Sequence, residues 1–419
     1  EYNLAAHVHP ISQPADGGWG QGGEIFYQSE SLIIPADTSA AGFYISNANN
    51  WFIGNCASGG WSGYAFPNIP ARLGAYKGTL PPATGLNPMN RPILKFFGNT
   101  AHSSGAYWRG HGSCIYTGAW LEYDSNGQLV YNSGRKERLM FVDGARSYRA
   151  MLFENTKVFL CNKGISHWGD NSQFEGVEVY DARVNMMLFG KAYVHSALWD
   201  MNTQNPGNRI LYYSEHFGFT FYDTWVQTVL SNITIRNTDD VNAVWVRQTP
   251  VDRYEQRVCA LRLTDHSDQF LPQGINAIKD IQFINVSDEA RLCINHCGEE
   301  CRDTAKPTMA SKMQNIWDYD GSISGSGYPT IVGSNIDWWN ADDSCFKSNT
   351  SFLWNCPWLM EDWGIDPRPS MVPELAALVH NHTVGYIMLR VEGLDGGCAG
   401  SHPGNGCAGQ NANYTVGRL

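Results

Sequence analysis

Hydrophobic residues along this chain occur in short runs, either alternating with polar residues or continuous, and turn-forming residues separate the runs. Both patterns are typical of β-strands. Examples are Phe43–Ile45, Ile93–Phe97, Val177–Tyr180, Phe219–Tyr222, Ile233–Ile235, Ala243–Val246 and Ile281–Ile284. A helical spacing is almost absent. Only Pro373–His380 is predicted to form a helical turn, because Pro favours the first position of a helix. The pattern predicts an all-β protein.

One motif recurs inside these runs: a large apolar residue, any residue, Asn, and then a small or β-branched residue. The five copies begin at Ile53, Phe97, Phe153, Ile235 and Phe283, and are 44, 56, 82 and 48 residues apart. A coil of a parallel β-helix has roughly twenty-odd residues, so the spacings of 44 and 48 predict two coils each. The longer gaps then require loop insertions.

Asn fits the sharp turn between two strands because its short side chain tolerates the left-handed conformation. Asn side chains stacked at one turn are also expected to hydrogen-bond along the stack, as amide ladders do in cross-β structures. The motif is equally a strand ending in a turn residue, as in any β-protein. The five copies favour a right-handed parallel β-helix, a solenoid, over a sandwich or a propeller. Residues 68–91, 113–149 and 295–313 are predicted to be long loop insertions.

The length of 419 residues suggests two or three ordinary domains, but one stacked solenoid also accounts for it. We predict the β-helix over residues 1–372 and a small C-terminal extension over 373–419. The chain starts at Glu1, not Met, which indicates a mature or excised form. It has no run of 18 uncharged apolar residues, so no transmembrane segment is predicted.

Composition narrows the class of protein. Only 16% of residues are charged, while Gly (43) and Trp (15) are frequent; disorder and coiled coils are therefore excluded. The net charge of −11 argues against nucleic acid as a partner. Eleven cysteines in such a chain predict an extracellular, secreted or cell-surface protein.

The cysteines are expected to form disulfides, with at least one left over because their number is odd. Cys345 and Cys356 bracket a polar loop, and Cys398 and Cys407 bracket a Gly-rich one, so each pair predicts a local bridge. The triplet Cys293, Cys297 and Cys301 beside His296 is a weak zinc pattern. Disulfides are the preferred interpretation, and no metal site is predicted. Five sequons, about the number expected by chance, permit N-glycosylation at Asn232, Asn285, Asn349, Asn381 and Asn413.

Several segments resemble one family. The segment 40–70 (AAGFYISNANNWFIGNCASGGWSGYAFPNIP), the segment 93–105 (ILKFFGNTAHSSG) and the segment 315–333 (NIWDYDGSISGSGYPTIVG) resemble, in order, β-helix coils of the fibrocystin and cell-surface hyaluronidase group. Members of that group carry a G8 domain followed by parallel β-helix repeats. Cys345 and Cys356 match a Cys pair at the same separation. The resemblance covers about residues 30–358 and implies the β-helix. It does not by itself imply hyaluronan degradation, because no G8 domain lies in this sequence and fold does not fix function.

Three groups of residues are candidates for chemistry. Asp318 and Asp320 lie at i and i+2 of a strand-like run and share a face; they suit Ca²⁺ binding, acid–base cleavage of a glycoside, or the anchoring of a turn. His102 matches the family's N-x-A-H pattern, which makes it a catalytic candidate, although a His bonded to a turn carbonyl is the simpler interpretation. The tryptophans Trp338, Trp339, Trp354 and Trp358 lie among acidic residues. They either contact a glycan or another subunit, or cap the end of the solenoid.

We therefore predict a secreted β-helical glycoprotein that acts as a structural or adhesive module. A subunit of a surface appendage or filament is one form of that role. Its expected partners are glycans or copies of itself. Two alternatives stay open: a hyaluronidase-like polysaccharide depolymerase, and a glycan-binding protein without activity. No cofactor beyond Ca²⁺ is considered.

Overall fold

The protein is described from a computed structural model, which divides into two compact units. The first comprises Glu1–Phe189 and Ala197–Tyr213, and the second Gly190–Ser196 and Ser214–Leu419. The structure describes residues 1–8, 40–69, 93–105, 112–123, 125, 127, 129–132, 141–142, 148–149, 151–168, 172–189, 192–203, 216–221, 228–238, 245–248, 253–256, 258–263, 276–294, 315–332, 344–351, 353–357, 386–390 and 414–418.

Nearly all regular structure in these residues is β, as predicted. The strands of the first unit are β1 (Leu4–Val8), β2 (Ala41–Tyr44), β3 (Trp51–Ile53), β4 (Cys56–Gly59), β5 (Ser62–Asn68), β6 (Lys95–Phe97), β7 (Thr100–His102), β8 (Ser113–Tyr123), β9 (Leu129–Asn132), β10 (Phe141–Val142), β11 (Tyr148–Arg149), β12 (Met151–Glu154), β13 (Lys157–Phe159), β14 (Lys163–Trp168), β15 (Ser172–Glu175), β16 (Glu178–Tyr180) and β17 (Val184–Phe189). Strand β18 (Ala192–Asp200) has residues in both units.

The second unit contains the remaining strands and a single-turn helix. They are β19 (His216–Phe221), β20 (Thr228–Arg236), β21 (Trp245–Gln248), β22 (Arg253–Gln256), β23 (Val258–Leu263), β24 (Asn276–Ile284), α1 (Asp288–Arg291), β25 (Leu292–Ile294), β26 (Asn315–Asp318), β27 (Thr330–Val332), β28 (Phe346–Lys347), β29 (Trp354–Cys356), β30 (Tyr386–Arg390) and β31 (Tyr414–Arg418). The helical turn predicted at 373–380 and the boundary predicted at 372/373 lie outside the described residues.

Parallel strands of the first unit form three rows. Row one pairs β3, β6, β12 and β15 in that order. Row two pairs β1, β4, β7, β13 and β16, followed by residues 198–200 of β18. Row three pairs β2, β5, β8, β14 and β17. The chain visits the rows in sequence, for example β3, β4 and β5, and we call one such set of three strands a rung.

Pairing between rungs corrects the predicted coil length. Cys56 pairs directly with Thr100 on the next rung, so the 44-residue spacing spans one rung and not two. Ile235 of β20 likewise pairs directly with Phe283 of β24, so the 48-residue spacing is also a single step. Lys157 and Glu178, by contrast, are 21 residues apart on neighbouring rungs. The prediction was wrong because an insertion after β5 lengthens the earlier rung while the strand pairing itself stays in register.

Residues 113–149 were predicted to leave the stack, and this is wrong for their first part. Ser113 pairs with Ser62 on one side and Lys163 on the other, inside row three. The second half of β8 then pairs antiparallel with β9, and β10 pairs antiparallel with β11. The segment therefore leaves the stack partway along β8. Its residue types do not show where this happens.

The core of the first unit consists of columns of inward-facing side chains, one residue per rung. Row one contributes Phe52, Phe96, Phe153 and Phe174, whose successive ring centroids are 5.9, 4.9 and 5.0 Å apart. The last three are fully buried. Burying an apolar side chain of this size stabilises the fold by about 1.5–3 kcal/mol. Row two contributes the buried column Ala57, Ala101, Val158, Val179 and Trp199.

The turn from row one to row two requires a left-handed residue on every rung. Gly54, Gly98 and Gly176 have φ of 64°, 63° and 63°, and Asn155 takes the same place with φ of 44°. The expectation of a left-handed Asn is therefore correct for Asn155, and also for Asn237 and Asn285 of the second unit, whose φ values are 59° and 54°. It is wrong for the two copies in which Gly precedes Asn, because there the Gly adopts the strained conformation at lower steric cost.

An amide ladder runs along this turn, as predicted. The backbone and side-chain N–H groups of Asn3 both donate to Asn55 Oδ1, at 3.0 and 2.9 Å. Those of Asn55 donate in the same way to Asn99 Oδ1, at 2.9 and 3.0 Å. Asn99 Nδ2 then donates to the carbonyl of Phe52 at 2.8 Å. Asn55 and Asn99 are buried, so these bonds satisfy polar groups that water does not reach.

The second unit begins with parallel pairing and ends with antiparallel pairing. β20, β24 and β26 are parallel, as are β19, β23 and β25. β27, β29 and β28 then add to β26 in antiparallel order. Two further antiparallel pairs are β21–β22 and β30–β31. Among the described residues, no helix is long and apolar enough to cross a membrane.

Candidate functional site

Asp318 anchors a turn in the second unit. Its side chain is buried at the end of β26. Oδ2 accepts from the backbone N–H of Ile323 at 2.8 Å and of Ser324 at 2.7 Å, and from Ser324 Oγ at 2.8 Å. Oδ1 accepts from the backbone N–H of Ser322 at 3.1 Å and from its hydroxyl at 3.2 Å. Five donors within six residues fold the chain back around one carboxylate, which is the behaviour expected of a turn-anchoring Asp.

Burial raises the pKa of the Asp318 carboxyl above its usual range, although the hydrogen bonds from Ser324 and Ile323 act in the opposite direction. The nearby carboxylate of Asp320 raises this pKa further. Desolvation disfavours the charged form of an acid, whereas hydrogen bonds to its oxygens favour that form. A raised pKa is common among the general acids of enzymes. On this ground Asp318 remains a candidate for a general acid.

Asp320 shares the turn but is exposed. Its Oδ2 accepts from the backbone N–H of Asp280 on the neighbouring strand at 2.8 Å, and its Oδ1 from Ser322 at 3.3 Å. Asp318 and Asp320 thus meet at the backbone N–H of Ser322. The i, i+2 spacing predicted a common face for the two carboxylates, and this is wrong: Asp318 is buried and Asp320 is exposed, because the chain turns after Asp318.

His102 lies in the first unit, at the end of β7. Its ring stacks on Phe159 of the next rung, with centroids 4.6 Å apart and planes 8° from parallel. Nδ1 is 3.1 Å from Ser103 Oγ. Burial lowers the pKa of His102, which favours the neutral form of the ring. The structure places His102 and the Asp pair in different units.

Trp354 lies in β29, half-buried, within the antiparallel group of the second unit. It pairs with Val332 on one side and Lys347 on the other. Trp338, Trp339 and Trp358 lie outside the described residues, so the proposed aromatic–acidic cluster is described only at this one position.

The structure contains three disulfides among the described cysteines. Cys345 bonds to Cys356, and Cys293, from the C-x₃-C-x₃-C triplet, bonds to Cys259. The third joins Cys114 to Cys161, a pair that sequence spacing does not suggest. Cys56 is free, while Cys297, Cys301, Cys398 and Cys407 lie outside the described residues.

Three of the five sequon asparagines are described, and all three are exposed: Asn232, Asn285 and Asn349. Asn232 and Asn285 have φ of 54° and project from left-handed positions. Their Nδ2 groups donate to Ser196 Oγ at 3.0 Å and to Asn237 Oδ1 at 3.1 Å, respectively. Asn381 and Asn413 lie outside the described residues.

Row two also carries a column of outward-facing polar side chains that was not predicted from the sequence. Lys157 Nζ lies 3.0 Å from Glu178 Oε2, and the Tyr180 hydroxyl donates to the same oxygen at 2.5 Å. Tyr180 lies in register with Phe159, which in turn lies in register with His102. The 21-residue spacing between Lys157 and Glu178 is the signal that could have identified it. Within the described part of the chain, no group of three or more His, Cys, Asp and Glu is placed to hold a metal ion.

Comparison with known proteins places these features in a family context. Residues 1–108 match the family described as CEMIP beta-helix. Communication mutant protein F of Dictyostelium discoideum is 41% identical over 366 residues, which is 85% of this chain and 31% of that protein. Protein rliB of the same organism is 42% identical over 364 residues, 85% of this chain and 30% of that protein. A G8 domain-containing protein, also from this organism, is 40% identical over 364 residues, 85% of this chain and 24% of that protein.

The chain therefore spans less than a third of the length of these relatives. The family match falls on the rungs that carry the amide ladder, and the relatives extend the similarity over most of the chain. The chain resembles the parallel β-helix region of the G8-domain family that includes the cell-surface hyaluronidases and fibrocystins.

Proposed function

We propose that this chain is a right-handed parallel β-helix that serves as a structural and adhesive module of a longer extracellular protein. The observation that carries the proposal is the in-register stacking of the first unit, in which each position along a rung lies above the same position of the next. Such stacking supports rigidity, because every rung is held by backbone pairing, by the aromatic core column and by the buried amide ladder.

The geometry around Asp318 supports a structural role over a catalytic one. A carboxylate that accepts five hydrogen bonds inside a turn cannot transfer a proton to a substrate unless the turn opens. Opening would break the hydrogen bonds that the N–H groups of Ile323 and Ser324 donate to the carboxylate, and a hydrogen bond to a charged group contributes about 1.5–3 kcal/mol. A depolymerase of the hyaluronidase type is therefore the second candidate.

The extracellular location is supported by the disulfides, since such bonds persist in oxidising compartments. N-glycosylation is proposed at Asn232, Asn285 and Asn349, which are exposed. A glycosylated amide nitrogen keeps one N–H. Asn285 can therefore carry a glycan and still donate to Asn237, and Asn232 can still donate to Ser196.

Glycans or further copies of this chain are the proposed partners, with contacts through Trp338, Trp339, Trp354 and Trp358. Tryptophan beside acceptor groups suits neutral sugars, whose faces are apolar and whose hydroxyls donate. The acidic net charge of the chain argues for a neutral glycan over a polyanionic one. No cofactor is part of this proposal, and a Ca²⁺ requirement is covered by the test below.

The experiment compares hyaluronan and neutral polysaccharides, with and without Ca²⁺, for both binding and size reduction. We expect binding of a neutral glycan, or self-association visible by light scattering and electron microscopy, with no loss of polymer length. Asp318→Asn and Asp320→Asn serve as a pair. Depolymerisation that is lost in the first variant and kept in the second would establish the enzyme instead. A monodisperse monomer at high concentration that binds no glycan would refute the structural and adhesive role.

A further inference from the structure

The turn that Asp318 anchors presents an aromatic residue to solvent. Tyr319, the first residue after β26, is 39% exposed. Its backbone N–H donates to the carbonyl of Ile278 on β24 at 3.0 Å. Its ring meets the ring of buried Trp317 at 69°, with centroids 6.0 Å apart. The backbone pairing and the core contact therefore hold an aromatic ring in place while much of the residue remains accessible.

Charged groups lie beside this ring. Lys279 Nζ lies over it at 5.6 Å from the ring centroid, within the range of a cation–π interaction. The same ammonium is 3.9 Å from Asp280 Oδ2, and the two side chains are 36% and 53% exposed. Asp320 Oδ2 accepts from the backbone N–H of Asp280 at 2.8 Å, which joins the turn to this pair. An aromatic ring, an ammonium group and carboxylates thus share one surface patch.

This combination of groups fits a sugar ring better than it fits a protein surface. A pyranose has an apolar face, which packs on an aromatic ring, and hydroxyls at its rim. Those hydroxyls donate to the carboxylate of Asp280 and accept from the ammonium of Lys279, and hydrogen bonds to charged groups are the stronger kind. The centre of a protein–protein interface, by contrast, is depleted of charged residues. The carboxylates also repel an acidic sugar, so a neutral sugar is favoured.

Both parts of this patch are held in place by hydrogen bonds within the protein. Asp318 accepts five hydrogen bonds and so fixes the turn that carries Tyr319. Asp280 has a left-handed backbone with φ of 54°, and its N–H is bound to Asp320. A site that is ordered before binding loses less conformational entropy when the ligand binds, and this increases affinity.

We propose that Tyr319, Lys279 and Asp280 form a binding site for one neutral sugar unit of a glycan. The proposal rests on the proposed function, because it takes a glycan as the partner, and it adds three described residues to the contact proposed there. Tyr319 supplies the apolar surface, Asp280 the hydrogen-bond acceptor and Lys279 the donor. Asp318 and Asp320 hold these groups in place.

The test is isothermal titration calorimetry of the whole chain with four oligosaccharide probes. Cellohexaose, chitohexaose and mannohexaose are neutral, and a hyaluronan hexasaccharide is acidic. We expect at least one neutral probe to bind. The acidic probe should bind at least about tenfold more weakly, because its carboxylates meet like charges in the patch.

Four substitutions locate the bound sugar. Tyr319→Ala should weaken binding of the neutral probe by about tenfold or more, because aromatic anchors contribute much of the affinity of a contact. Tyr319→Phe keeps the ring and should change the affinity by less than about twofold. Asp280→Asn should weaken binding by about threefold or more, since a charged acceptor becomes a neutral one. Asn also tolerates the left-handed backbone of this position, so the fold is kept.

Tyr44→Ala, in β2 of the first unit, is the matched control. Tyr44 is the same residue type and is 40% exposed, so its removal costs a similar accessible ring and should leave the affinity unchanged. Circular dichroism and thermal unfolding show whether each variant is folded.

Several results would overturn the proposal. One is a neutral glycan that binds equally well to the parent protein and to Tyr319→Ala, which would leave the proposed function intact and place the sugar elsewhere. Another is an equal loss of binding in Tyr319→Ala and Tyr44→Ala. A third is tighter binding of the hyaluronan probe than of any neutral one. Self-association that Tyr319→Ala abolishes, with no probe bound, would make a second copy the occupant. If no probe binds but the chain self-associates, this site is refuted and the structural role stands, so the two failures are distinguishable.

Discussion

Asn99 holds the amide ladder together at its buried end. Its Oδ1 accepts two hydrogen bonds from Asn55, and its Nδ2 donates to the carbonyl of Phe52. Replacing Asn99 with Ala removes all three and leaves the backbone N–H and the side-chain amide of Asn55 without these acceptors. A buried polar group left unsatisfied costs about 1–3 kcal/mol. Because water entry and small shifts recover part of the loss, we expect Asn99→Ala to lower the free energy of unfolding by about 3–5 kcal/mol.

Asn3 supplies the matched control. Asn3→Ala keeps the backbone N–H that donates to Asn55 and loses only the side-chain donor at the exposed end of the ladder. We expect it to cost less than about 1 kcal/mol. Urea unfolding followed by circular dichroism measures both variants, with the slope of the transition checked against the parent protein. If Asn99→Ala and Asn3→Ala destabilise equally, the ladder does not contribute as the geometry indicates.

Three further predictions test the second unit and the cross-links. Cys114→Ser should lower the free energy of unfolding by about 2–5 kcal/mol, because it removes the disulfide to Cys161. The control Cys56→Ser should change the free energy of unfolding little, because Cys56 is free. Equal effects of the two substitutions would contradict the disulfide. Asp318→Asn should lower the free energy of unfolding by about 2–4 kcal/mol, because the amide of the new side chain cannot accept from all five donors. Asp320→Asn should lower it by less than about 1 kcal/mol. Thermal unfolding of the two variants measures the difference. Because the folded-state pKa of Asp318 is raised, its contribution to stability is full below the ordinary pKa of an Asp carboxyl and is lost as the pH rises through the raised value. Asp318→Asn should therefore flatten that part of the stability–pH curve, and an unchanged curve would contradict the assignment.

The sequence predicted the class of fold and the ladder for clear physical reasons. Short β-type runs correspond to strands because each strand buries one face per rung, as Val179 and Val158 do. The amide ladder was predictable because Asn recurs two residues after a large apolar residue. Coil length could not be predicted, because the pairing of Cys56 with Thr100 does not depend on how many residues separate them in the sequence. The bond between Cys114 and Cys161 likewise depends on a register, that of β8 with β14.

The Asp318 and Asp320 pair shows a second limit of prediction from the sequence. Asp318 and Asp320 lie in a turn, which was one of the predicted alternatives. The alternation of a strand predicts a common face for both, and this is wrong. The chain instead leaves the strand at Asp318, where five donors capture the carboxylate. Which of the two carboxylates is buried depends on Ser322, Ile323 and Ser324, whose backbone positions are not readable from residue type.

The repeated Asn motif shows how one residue type serves two adjacent positions. In Phe97-Gly98-Asn99 the Gly takes the left-handed turn, so Asn99 points inward and Phe97 outward, where Lys95 Nζ lies 4.9 Å from its ring. In Phe153-Glu154-Asn155 no Gly is present, so Asn155 takes the turn itself and Phe153 points inward. A shift of one residue moves a side chain to the opposite face of a strand. The two copies therefore match in sequence but not in structure, and the residue before Asn determines which arrangement forms. On the next rung Gly176 takes the left-handed position level with Asn155, and a Cβ there would collide with Asn155 Oδ1. A prediction of rung boundaries in such chains has to align the left-handed residues and not the asparagines.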